Sequence, residues 1–133
     1  MALRLPISVK GVLIENSAVA LLLNERDEWE LPGGRLEHGE TPEACVAREF
    51  QEELQAVIQV GAILDTWVHE VIAGKFVFIV TYAVSRSNAA HLAHSPEHKQ
   101  MRWWNIAELD HATMPDGYRL SIKALASKIG NSG

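Results

Sequence analysis

Apolar residues recur along this chain at two spacings, and the change from one to the other lays out its elements. Short apolar runs at 7–14, "ISVKGVLI", and at 18–23, "AVALLL", are separated by "ENS", which predicts two strands joined as a hairpin. "WELPGG" predicts a brief strand broken by Pro32, Gly33 and Gly34, with a loop from there to Thr41. Thr41 has the side chain of a helix cap and Pro42 suits a first turn, so a helix is expected from Pro42 to about Gln55. The β-branched and aromatic segments "VIQVGAILDTWVHEVI" and "FVFIVTYAV", with "AGK" between them, predict two paired strands. A loop, "SRSNAAHLAHSPEH", then leads to a strand at "QMRWW", a short helix at "IAELD" and a last helix from Asp116 to about Lys128. The sum is a mixed sheet with helices around it, an α/β protein of the α+β type. Residues 1–133 are expected to form one domain, with 129–133 as a flexible tail.

The helix from Pro42 changes the picture, because it carries two faces. At 100° per residue, Val46, Ala47, Phe50 and Leu54 form an apolar stripe, while Glu49, Glu52 and Glu53 share about 100° of arc on another side. A solvated acidic face is the ordinary reading of such a run. It fits poorly here: Glu49 and Glu53 are a like-charged i,i+4 pair, and the positions four beyond Glu52 and Glu53 are Ala56 and Val57 rather than basic residues. The cluster destabilises its helix unless a cation sits on it. Grouped oxygen ligands suit a hard divalent ion, Mg²⁺ or Mn²⁺, which would also bring in phosphate oxygens.

Composition narrows the partners. With 47% hydrophobic and 22% charged residues the chain reads as an ordinary globular protein. Its net charge of −5 argues against a broad nucleic-acid surface, so an anionic substrate needs a local source of attraction. The lone cysteine, Cys45, excludes an intrachain disulfide. Neither a leader pattern nor an apolar run of spanning length is present, so no membrane attachment is expected and the cytoplasm is the expected setting.

From Gly34 to Ala56 the sequence "GRLEHGETPEACVAREFQEELQA" resembles the Nudix box, G-x5-E-x7-R-E-U-x-E-E-x-G-U with U apolar. Gly34, Glu40, Arg48, Glu49, Phe50, Glu52 and Glu53 fall on that pattern, and "LPGG" leads into it. The resemblance implies an α-β-α sandwich with a mixed central sheet, and metal-dependent hydrolysis of a nucleoside diphosphate linked to another group. It implies Glu49, Glu52, Glu53 and the backbone carbonyl of Gly33 as metal ligands, with Arg48 orienting the carboxylates by ion pairing. It makes Glu40 the tie between loop and helix. Water would attack phosphorus, and Glu49, Glu53 or Glu97 would take its proton. Glu97 lies in a loop before a strand, where many Nudix enzymes place an additional ligand or base, and reads equally well as an innocent loop residue.

Gln55 departs from the pattern, standing where the family has glycine. Either Gln55 adopts the left-handed cap at a cost on the order of 1 kcal/mol, or the helix runs on through "AVI". Gly34 and Gly39 have a turn reading as good as a functional one. His91, His94 and His98 read as a solvated loop, Cys45 as a small spacer, and Trp29, Trp67, Trp103 and Trp104 as core or rim packing. The expected substrate is a small nucleotide, either a sugar nucleotide such as ADP-ribose or a nucleoside triphosphate, and the proline and tyrosine that mark two of the family's specificities are absent. Family habit adds a homodimer as an assembly to test. A catalytically silent nucleotide-binding module and a structural metal-binding domain stand as the rival readings.

Overall fold

The computed structural model describes residues 1–87 and 100–131. Strands β1 (Ile7–Glu15) and β2 (Ala18–Leu23) form the expected hairpin, turning through Asn16 and Ser17 at φ 51° and 63°. Two consecutive left-handed residues give a turn whose twist matches that of the strands. β3 (Trp29–Glu30) and β4 (Gly33–Arg35) follow, then α1 (Pro42–Leu54). The long strands β5 (Ile58–Ile72) and β6 (Lys75–Arg86) pair antiparallel around Gly74. β7 (Gln100–Asn105), a 3₁₀ turn over Ile106–His111 and α2 (Asp116–Asn131) complete the described chain.

Two expectations change. Gly33 and Gly34 do not simply break a strand, because with Arg35 they form β4, which pairs with β1 in the register Val9↔Gly34 and Lys10↔Gly33. α2 runs to Asn131, so residues 129–131, read from sequence as tail, are helical.

The strand order is β3-β2-β1-β6-β5, with β4 also on β1 and β7 also on β2. β1 and β6 run parallel and the other pairs antiparallel, so the sheet is mixed. Its two faces follow the period of two along each strand. On β2, Val19 and Leu21 face the core under α2, with Trp29, Ile79, Tyr118 and Ile122, while Ala20 and Leu22 face the core under α1. Each helix thus covers one face, giving the α-β-α sandwich. Val46, Phe50 and Leu54 of α1 are fully buried, each stabilising the fold by roughly 1.5–3 kcal/mol. Trp29 and Trp104 meet edge to face at 5.4 Å inside the α2-side core, and Trp67 and Trp103 are half-buried at the margins.

Helix α1 starts and stops on side chains that the sequence singles out. Thr41 has extended backbone, and its hydroxyl oxygen accepts the Ala44 N–H at 3.1 Å. Gln55 stands at φ 54°, ψ 35°, so of the two alternatives the left-handed cap is the one adopted. The N–H groups of Gln55 and Ala56 return to the carbonyls of Gln51 and Phe50, and β5 begins at Ile58.

Candidate active site

The acidic face of α1 is organised by Arg48. Its guanidinium grips Glu40 bidentately, Nε to Oε2 at 2.8 Å and Nη2 to Oε1 at 2.9 Å, while Nη1 donates to Glu49 Oε1 at 2.9 Å and Glu52 Oε2 at 3.2 Å. Nη2 also reaches the carbonyl of Arg35. Such a fork fixes geometry as well as charge. Glu40 in turn accepts the Glu37 N–H, closing the loop after β4 onto the helix. The Arg48 bond, followed by that N–H, lowers the Glu40 pKa to about 2. Arg48 is itself raised, first by Glu40, so it stays charged.

Glu53 is placed differently. It is 6% exposed, and its Oε1 accepts the Gly33 N–H at 2.8 Å across the gap between α1 and β4. That gap exists because β4 begins with two glycines. A Cβ on Gly33, which has φ 145°, would stand 2.1 Å from the Val9 carbonyl oxygen, and one on Gly34 would stand 2.4 Å from the Glu49 carboxyl carbon. Gly34 therefore acts through bareness rather than as a turn, whereas Gly39, at φ 83°, does lie in one.

Glu49, Glu52 and Glu53 supply the oxygen chemistry that a hard divalent ion takes, and the cradle beside Gly34 admits the Glu49 carboxylate. In the conformation described, Glu49 and Glu52 turn onto Arg48, and no three acidic, histidine or cysteine side chains among the described residues converge on one point. The donor set fits such an ion in kind, and each of those two carboxylates gives only one of its two oxygens to the guanidinium. Glu97 and the His91, His94 and His98 set lie outside the described residues. Cys45 is buried with Sγ 3.5 Å from the Arg35 carbonyl, and burial pushes its thiol up to about 12, which suits a packed spacer.

Sequence reasoning missed a second component. Beside β4 a cavity of about 200 Å³ is lined by Ser8, Lys10, Glu30, Gly34, Arg35 and Tyr118, among others. Asn24 holds its Glu30 wall, donating from Nδ2 to Oε2 at 3.1 Å, and fixes the loop after β2 by accepting the Arg26 and Glu28 N–H groups. Lys10 is 7% exposed. Burial alone would lower its pKa, but the acidic groups of Tyr118, Glu30, Glu53 and Glu49 reverse that and leave it raised. The available signal was a single charge inside the apolar run "ISVKGVLI", which contradicts the local pattern.

Residues 5–125 match the family model described as NUDIX domain. A Proteus vulgaris protein named 8-oxo-dGTP diphosphatase is 48% identical over 42 residues, 32% of this chain and 38% of its own length. A Streptomyces ambofaciens MutT-like protein is 45% identical over 63 residues, 46% of this chain and 41% of its own. The matches span less than half the length of each of these relatives. Among solved structures, a C. elegans Ap4A hydrolase in a binary complex superposes with a TM-score of 0.82 at 15% identity, covering 96% of this chain and 99% of that one; a likeness at this identity bears on the fold alone.

Proposed function

This chain belongs to the Nudix hydrolase family, and from that premise we propose that it is a metal-dependent pyrophosphohydrolase cleaving the diphosphate linkage of a nucleoside diphosphate derivative. The observation that carries the reading is the carboxylate face of α1, gathered by Arg48, seated against Gly33 and Gly34 and opening beside a polar cavity. Mg²⁺ or Mn²⁺ held by Glu49, Glu52, Glu53 and the Gly33 carbonyl would supply the positive charge that phosphate oxygens need on cleavage.

The residues of the chain do the remaining work. Glu53, fixed by the Gly33 N–H, is the ligand that needs least rearrangement, because folding has already oriented it. Arg48 holds Glu49 and Glu52 in reserve on one guanidinium nitrogen and, through Glu40, keeps the β4–α1 loop closed over the helix. A carboxylate takes the proton of the water that attacks phosphorus; Glu49, Glu53 and Glu97 are the candidates. Sugar nucleotides such as ADP-ribose and nucleoside triphosphates are the leading substrates, and the relative named as an 8-oxo-dGTP diphosphatase adds oxidised purine triphosphates.

The test is a substrate panel in Mg²⁺ at mildly alkaline pH, with products identified. ADP-ribose, other sugar nucleotides, dinucleoside polyphosphates and canonical or oxidised triphosphates are presented. The expected products are a nucleoside monophosphate plus pyrophosphate or a second phosphorylated fragment. Turnover of phosphate monoesters alone would contradict the mechanism, and tight nucleotide binding with no turnover would favour the silent binding module.

A further inference from the structure

We propose that Lys10 is a substrate-positioning residue whose ammonium holds the anionic diphosphate of the substrate in the cavity beside the carboxylate helix. The inference rests on the hydrolase reading and deepens it by assigning a contact that the Nudix box does not contain.

Lys10 lies in β1 beside the buried Val9, with Val12 and Leu13 buried just beyond it. A charge in such a place costs free energy unless it is paired. The field of Glu30, Glu53 and Glu49 acts on it, yet among the described residues its Nζ makes no direct hydrogen bond and no ion pair, and the Tyr118 ring centroid lies 5.9 Å from Nζ. A lysine kept only for packing or as a counter-ion would be expected to close onto Glu30 or Glu53. Instead its stem is laid across Gly33, where a Cβ would come within 2.9 Å of Lys10 Cδ, and its head lines the cavity.

That placement sets the ammonium between two things a diphosphate must meet. Gly33, the register partner of Lys10, donates its N–H to Glu53 and so ties this stretch of β1 to the carboxylate helix. On the other side is the cavity, where Arg26 and Arg35 add two more cations to a lining that also holds Glu28 and Glu30. An ammonium is a compact donor of three N–H bonds and suits an oxyanion. A chain of net charge −5 needs local attraction to hold an anion, and an ammonium at this place adds to it.

The experiment uses inorganic pyrophosphate, a diphosphate with no base or sugar. Its binding in Mg²⁺ is measured by calorimetry for the wild type, Lys10→Met and Lys10→Arg, and Mn²⁺ binding is followed separately from the resonance of the free ion. Lys10→Met should bind pyrophosphate about tenfold or more weakly while binding Mn²⁺ as tightly as wild type or more tightly, since a positive neighbour of Glu49 and Glu53 is gone; Lys10→Arg should recover most of the loss. Should Lys10→Met fail to fold, Lys10→Gln provides the same comparison. Unchanged pyrophosphate affinity, no pyrophosphate binding by the wild type, or a parallel loss of Mn²⁺ in a folded variant would overturn the proposal. Lys10-dependent pyrophosphate binding without turnover of any nucleotide would overturn the hydrolase reading and leave Lys10 standing. Turnover with Lys10-independent pyrophosphate binding would do the reverse.

Discussion

Glu52 and Glu53 show how differently residues of one helix face are held. Glu52 is 58% exposed at its side chain and among the described residues is bonded through its carboxylate to Arg48, so it is easily recruited; Glu53 is buried and already bonded to Gly33. Glu52→Gln and Glu53→Gln should each lower kcat by about a hundredfold or more, the scale of losing a group that stabilises transition-state charge. Both should fold, because glutamine keeps an oxygen that can accept the bonds described. Steady-state kinetics with a melting curve decide this, and near-normal turnover in both variants would sink the assignment. Glu40 supplies a different observable. Its folded pKa of about 2 is below the ordinary 4.5, a lowering caused first by Arg48. A lowered carboxyl stabilises the fold fully above its unfolded pKa and loses that contribution as pH falls through its folded one. The Glu40 contribution is therefore complete above about pH 4.5 and drains between there and about pH 2. Glu40→Gln should show a flatter loss of melting temperature across that window than wild type, with the difference between the two proteins largest near neutrality.

Among the elements, α1 was legible in sequence and β4 was not. Thr41 and Pro42 announce the start of the helix with their own chemistry, and the observed start at Pro42 agrees. The end at Gln55 was open, because a side chain in the left-handed region is costly but tolerated when neighbouring strands demand the turn. Gln55→Gly should raise stability by about 0.5–1 kcal/mol, the relieved strain less the extra freedom of glycine in the unfolded chain. Chemical denaturation reads it directly, and a loss of stability would show that the Gln55 side chain makes up for its strain. β4 escaped prediction because Pro-Gly-Gly is a turn signal in any local window. Its strand character comes from β1 on one side and α1 on the other, and the glycines are there because a Cβ would strike the Val9 carbonyl or the Glu49 carboxylate.

Over the whole molecule, folding brings Glu49 and Glu53 of α1 within electrostatic reach of Lys10, which shares a cavity with Glu30 and Tyr118. A divalent ion that binds this arrangement and not the unfolded chain should stabilise it: at a concentration a hundred times Kd the gain is about 2.7 kcal/mol, or roughly 10 °C in Tm for a chain of this size. Melting in Mg²⁺ against EDTA measures it, and an unchanged Tm would argue against ligation by these residues. The sequence alone determined the strand and helix periods, the cap at Thr41, and the charged spacing from Glu40 through Arg48 to Glu53, since each depends on neighbours within a few turns of chain. Only the tertiary structure decided that Glu53 bonds Gly33, that Gly34 gives way to Glu49, and that Lys10 faces a cavity with Glu30 and Tyr118. These contacts join residues from fifteen to more than a hundred positions apart, and no local pattern encodes which face of a strand will meet which helix until the sheet has formed.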